Sequence, residues 1–162
     1  MKLLTVSLVR VRLVSLLLLV VAFGATGSGQ ERLYTVPELV QEMSPGVVYI
    51  AALDRDGEVR GSGSGFVADS AGAIVTAYHV IDGAAHASIK THDGEIYDRV
   101  EVLDYDRRRD IAILKIRPFS QLYPLELAEI NATVVIGTDA VAIGNPQGLE
   151  HTVSDGLVSG FR

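Results

Sequence analysis

After residue 43 this chain has no apolar period long enough for a packed helix. Short β-branched and apolar runs are instead separated by Gly- and Asp-rich turns at intervals of roughly ten residues. Val47 to Leu53 is the first run, and Asp54-Arg55-Asp56-Gly57 turns it back into Glu58-Val59-Arg60. Phe66-Val67-Ala68 and Ala73-Ile74-Val75-Thr76 flank the turn Asp69-Ser70-Ala71-Gly72. Ser88-Ile89-Lys90 leads into His92-Asp93-Gly94-Glu95. From Ile96 to Leu103 the residues alternate, with Ile96, Val100 and Val102 on one parity. Ile111 to Ile116, Val134 to Ile136 and Ala140 to Ile143 continue the series. Such a pattern specifies an all-β barrel or sandwich and argues against a doubly wound α/β fold.

The N-terminal third of the pattern is different. Lys2, Arg10 and Arg12 precede an apolar stretch from Leu13 to Phe23, broken only by Ser15, and small residues follow from Gly24 to Gly29. A basic start, a short apolar centre and small residues are the build of a secretory signal peptide, assigned here to residues 1–29. As a helix the apolar stretch spans only about 17 Å at 1.5 Å per residue, against a hydrocarbon core of about 30 Å, which disfavours a membrane anchor. Residues 30–45 form a lead-in, with a short helix expected over Val36–Met43, Pro37 in its first turn, and Ser44-Pro45-Gly46 ending it.

Removing residues 1–29 takes away three cations and no acid, so the net charge moves from -6 to -9. An acidic exported domain repels nucleic acid and anionic lipid. The one dense basic run, Arg107-Arg108-Arg109, is bracketed by Asp104, Asp106 and Asp110 and reads as a solvated turn with local ion pairs. The chain has no cysteine, which excludes disulfides, thiolate nucleophiles and thiolate metal sites.

Four segments could carry chemistry. Gly61-Ser62-Gly63-Ser64-Gly65-Phe66-Val67 places dense glycine ahead of a strand, where positive φ or close backbone packing is needed. It lacks the third glycine and following helix of a nucleotide loop, and neither serine is centred in G-x-S-x-G. Ile74-Val75-Thr76-Ala77-Tyr78-His79-Val80-Ile81 places a histidine on a one-turn helix directly after an apolar strand. His86 and His92 lack metal-ligand spacing to His79, so neither a metal nor any other cofactor is expected. Arg109-Asp110-Ile111-Ala112-Ile113-Leu114-Lys115-Ile116 sets an aspartate at the mouth of a strand, where it either caps a turn or orients a histidine ring. Finally, Val141 to Leu149 and Val153 to Gly160 look like a strand, a tight loop and a further strand.

In order and spacing these segments resemble the HtrA/Deg branch of the trypsin-like serine proteases. The resemblance runs from about Ser44 to Arg162. It rests on Gly63-Ser64-Gly65-Phe66, on Ile74-Val75-Thr76 leading into His79-Val80, and on Asp110 to Ile116. Ala142-Ile143-Gly144-Asn145-Pro146-Gln147-Gly148 and Gly156-Leu157-Val158-Ser159 complete it. It implies an all-β, trypsin-like double β-barrel over residues 46–162, with the first barrel complete and the second only begun. It also implies His79 as general base and Asp110 as its orienting partner. One departure is local: the family usually has Asn or Ala just before the histidine, and here Tyr78 stands there.

The other departure concerns the nucleophile. The family's serine lies in a G-N-S-G-G or G-D-S-G-G segment, and no such segment occurs before Arg162; Ser154 and Ser159 lack its glycines. The oxyanion hole and specificity pocket belong to the same missing part, so this polypeptide alone is expected to be inactive, with unpaired strand edges and exposed apolar surface. The expectation is therefore a secreted serine endopeptidase, truncated before its serine, exported to a bacterial periplasm or the extracellular space. Its implied substrates are protein or peptide chains, unfolded or damaged ones by the resemblance. No stable membrane span is expected after signal cleavage, and a homo-oligomer is compatible with a full-length form. The alternative is a non-catalytic β-barrel binding protein derived from the same fold.

Overall fold

The computed structural model describes residues 19–20, 34–128, 133–144 and 152–161. Strand β1 is the two-residue Leu19–Val20. Helix α1 is Val36–Met43 and a 3-10 turn, Ser44–Gly46, follows it. Then come β2 (Val47–Leu53), β3 (Val59–Val67), β4 (Ala73–Thr76), the one-turn helix α2 (Tyr78–Ile81) and β5 (His86–Lys90). The remainder is β6 (Ile96–Tyr97), β7 (Glu101–Asp106), β8 (Ile111–Lys115), β9 (Asp139–Gly144) and β10 (Thr152–Leu157).

Seven strands form one antiparallel sheet in the order β6-β5-β2-β3-β4-β8-β7. Register shifts at Ala52/Leu53 and at Val102/Asp104 add local twist, and the sheet curls into a half-barrel. Its concave face encloses Val48, Ile50, Val67, Ile74, Ile89, Tyr97, Leu114 and Ile116, all almost fully buried. Each large aliphatic side chain buried this way contributes roughly 1.5–3 kcal/mol. Strand β2 is buried on both faces, because Val48 and Ile50 point into this core while Val47 joins a second one. The second core holds Met43 of α1, Val47, Phe66, Leu125, and Val141 and Ile143 of β9. It binds the lead-in helix and the β9–β10 hairpin to the outside of the curled sheet. That hairpin, with β1 paired to the other edge of β9, is a separate three-stranded sheet.

The expected helix matches α1, whose Thr35 and Glu38 form a capping box. Three sequence readings are corrected. The glycines do not precede a strand: Gly61, Gly63 and Gly65 lie inside β3, paired with β2, and none has positive φ. Their use is close approach, since a Cβ on Gly65 would meet Ile50 Cδ1 and the Val75 carbonyl oxygen, each at 2.8 Å. The alternation across residues 96–103 does not map onto one buried face: Tyr97 is buried and Val100 packs against the core, while Ile96, Val102 and Leu103 are exposed, because the run breaks into β6 and β7. Val134 to Ile136 is not a strand; it runs into a turn at Gly137, whose φ is 94°. Asn145 to Leu149 and the signal-peptide assignment, apart from Leu19–Val20, lie outside the described residues. No helix among the described residues is long and apolar enough to cross a membrane.

The turns are held by aspartates. Asp54 accepts the backbone N–H groups of Asp56 and Glu58 and a bond from Arg60, and Asp69 accepts the N–H of Ala73. Both carboxyls are held below their ordinary 3.8, chiefly by the Glu58 N–H in one case and the Ala73 N–H in the other. Unfolded aspartates take up protons near 3.9, so on acidification the unfolded chain binds protons first. The stabilisation is therefore present above about pH 4 and lost as the pH falls through the lowered folded values. The melting temperature should drop between pH 6 and pH 3, and by less in Asp54→Asn/Asp69→Asn than in the parent.

Candidate active site

Strand β4 delivers the histidine. Thr76 ends the strand and is buried, and its hydroxyl donates to the Ser64 carbonyl oxygen at 2.9 Å. That bond ties the last residue of β4 to β3. Ala77 is extended and buried, and α2 begins at Tyr78. Val80 turns inward and packs on Gly63, so His79 faces out at one end of the curled sheet. A Cβ on Gly63 would overlap the Val80 side chain. Gly63→Ala should cost about 1–3 kcal/mol by overpacking. It should also displace α2, which a thermal melt and the backbone NMR shifts of residues 78–81 will report.

Strand β8 delivers the aspartate. The turn Arg107–Asp110 joins β7 to β8, and Asp110 sits at its end with φ 55°, the only positive φ among described non-glycine residues. Aspartate tolerates this left-handed region better than most residues. Asp106 holds the turn by accepting the backbone N–H groups of Arg108 and Arg109 and, at 2.6 Å, the Arg109 guanidinium. The Arg109 bond, more than the backbone ones, keeps the Asp106 carboxyl below its ordinary value.

The two sequence-predicted residues meet. Asp110 Oδ2 lies 2.7 Å from His79 Nδ1, and Asp110 Oδ1 accepts the His79 backbone N–H at 2.9 Å. The second bond supplies the acceptor that Ala77 cannot offer to the start of α2. Both readings of Asp110, helix or turn cap and ring orienter, describe the same carboxylate. A carboxylate only accepts, so a neutral imidazole facing it donates from Nδ1 and keeps its lone pair on Nε2. The His79 side chain is 46% exposed, so Nε2 can be reached from solvent. Such an imidazole can take a proton from an approaching hydroxyl.

Ser154 lies exposed in β10, and Ser159 is exposed beyond it. Sequence reasoning missed what holds the pair in place. Thr76 and Asp106 act through backbone bonds, which no residue pattern announces. Arg107 was assigned to local ion pairs, but only Arg109 makes one, with Asp106; Arg107 reaches across to Asp82.

A curled antiparallel sheet with a His–Asp pair at its mouth defines a trypsin-like domain. The chain belongs to the trypsin-like peptidase domain family, whose model matches residues 63–162. It is 42% identical over 134 residues to the chloroplastic Protease Do-like 1 of Arabidopsis thaliana, covering 76% of this chain and 30% of that one. It is 36% identical over 105 residues to the putative serine protease HhoA of Synechocystis, covering 65% of this chain and 26% of that one. Among solved structures, the serine endoprotease from Yersinia pestis superposes with a TM-score of 0.68 at 32% identity, over 80% of this chain and 46% of that one. The chain thus spans less than a third of each of the two sequence relatives and under half of the structural one.

Proposed function

We propose that this chain supplies the general base and its orienting partner to a secreted serine endopeptidase that hydrolyses peptide bonds of protein substrates. His79 is the base. It removes the proton of a serine hydroxyl as the oxygen attacks the scissile carbonyl carbon, then returns that proton to the leaving amine. Asp110 fixes the tautomer and stabilises the imidazolium formed in between. The observation that carries this reading is the double grip of Asp110 on His79, one bond to the ring and one to the backbone. One bond sets ring rotation and the other sets the position of the residue, as proton transfer requires.

Residues 1–29 are proposed as the export signal. The serine comes from a G-x-S-G-G segment that residues 1–162 do not contain. The 162-residue polypeptide therefore hydrolyses no casein and takes no fluorophosphonate label. Joined to the segment that follows the matched region in the Yersinia endoprotease, it gains both properties. Mass spectrometry of the labelled protein decides the matter, and a label on any serine of residues 1–162 would overturn the assignment.

A further inference from the structure

The His–Asp pair sits on two pieces of chain, the helix α2 and the β7–β8 turn, held side by side by the pairing of β4 with β8 and by the two His79–Asp110 bonds. An exposed side-chain cluster adds a further bridge between them. The Tyr78 hydroxyl donates to Asp82 Oδ1 at 2.7 Å, within and just beyond α2. From the turn, Arg107 Nε donates to the Tyr78 hydroxyl oxygen at 2.8 Å, and Arg107 Nη2 donates to Asp82 Oδ1 at 3.2 Å. The guanidinium also lies 5.0 Å from the Tyr78 ring centroid, and Tyr105 of β7 packs against the Tyr78 ring with centroids 5.0 Å apart. Three residues thus close a ring of donors and acceptors between the element carrying His79 and the turn carrying Asp110. Each is the immediate or near neighbour of a member of the pair: Tyr78 precedes His79, and Arg107 lies three residues before Asp110.

We infer that Arg107, Tyr78 and Asp82 form a positioning latch that sets the distance between His79 and Asp110; the inference rests on the role of that pair argued above. The geometry favours a positioning role over a stabilising one. The Arg107 and Asp82 side chains are 66% and 52% exposed, and exposed ion pairs add little to folding. The 2.7 Å bond between His79 and Asp110 joins two different elements and is, in contrast, sensitive to small displacements. A shift of about 1 Å at a catalytic pair can cost on the order of 10²-fold in rate. Arg107 matches this task through its planar fork, which reaches the phenol oxygen and the carboxylate together; lysine offers a point charge with no fixed second donor. The Tyr78 hydroxyl is made harder to ionise mainly by its bond to Asp82, so it remains a donor to that carboxylate.

The test follows the Nδ1 proton of His79 by ¹H–¹⁵N NMR in the 162-residue chain. The variants are Tyr78→Phe, which keeps the ring and removes both hydroxyl bonds, Arg107→Ala and Arg107→Lys. Arg60→Ala, which breaks the remote Arg60–Asp54 pair, is the control. The parent shows a downfield Nδ1 proton that depends on Asp110. In Tyr78→Phe and Arg107→Ala its exchange with water rises by roughly tenfold through local opening, while the melting temperature and the control stay at parent values. Arg107→Lys restores part of the protection. In the serine-containing joined form, Tyr78→Phe lowers kcat and leaves KM unchanged. A protected Nδ1 proton whose exchange is the same in parent, Tyr78→Phe and Arg107→Ala overturns the latch and leaves the His–Asp pair standing. Absence of any Asp110-dependent proton in the parent overturns the pair, and the latch with it. Should Tyr78→Phe fail to fold, Arg107→Ala, at an exposed side chain, reads the same contact.

Discussion

His79→Ala, made in the joined form that carries a nucleophilic serine, lowers kcat by on the order of 10⁶-fold, the loss seen when the equivalent base is removed from subtilisin. The size follows from what the imidazole does. Without it the serine hydroxyl keeps its proton during attack, and the leaving amine departs unprotonated. Substrate binding does not depend on the ring, so KM should change little. The fold should also hold. The His79 side chain is 46% exposed, and the bond from its backbone N–H to Asp110 survives the substitution. Far-UV circular dichroism and a thermal melt therefore stay near the parent while casein hydrolysis disappears.

Asp110→Asn is the second large effect, about 10⁴-fold in kcat by analogy with the same change in trypsin-like enzymes. The amide is nearly the shape of the carboxylate, and its oxygen can still accept one of the two His79 bonds. Its nitrogen, however, is a donor. Facing Nδ1, it selects the tautomer with the lone pair on Nδ1 and the proton on Nε2, so the base points the wrong way. The negative charge that stabilises the imidazolium is also gone. Asp110→Ala removes the cap on α2 as well, and so should be less stable than Asp110→Asn. A melt comparing the two separates the structural share of this carboxylate from its chemical share.

The all-β fold was legible because the strands announce themselves through Val, Ile and Ala runs between Asp-Gly turns, and each of those turns needs a residue type that few others replace. Helix α1 was legible from Pro37 in its first turn and from the stop at Ser44–Gly46. The misreadings share a cause. The glycines read as lying ahead of a strand, yet they stand inside β3, where they let Val80, Ile50 and the β4 backbone come close. Tyr97 buries instead of Ile96 because a stacked Phe119, at 4.5 Å between ring centroids, and a Ser120 hydroxyl at 3.0 Å partner its ring and its oxygen. Those partners lie more than twenty residues away, outside any local period.

For the site, His79 and Asp110 could be singled out by residue type and by the strand each one borders. Their meeting was legible only through the family resemblance; residue type and local pattern could not give it, because it joins residues 31 positions apart through the order of β4 and β8 in the sheet. The supports were least visible. Arg107 in a run of three arginines between aspartates has several local partners available, and only the placement of α2 decides that it reaches Tyr78 and Asp82. Thr76 looks like an ordinary strand residue until its hydroxyl is found on the Ser64 carbonyl.

The most direct test of the central claim is the rate of fluorophosphonate labelling in the joined form, measured side by side for the parent and His79→Ala at equal folded concentration. The reagent reacts with a serine only when a neighbouring base activates it. The account predicts rapid labelling of one serine outside residues 1–162 in the parent and none over the same period in His79→Ala. Equal labelling rates in the two proteins would contradict it.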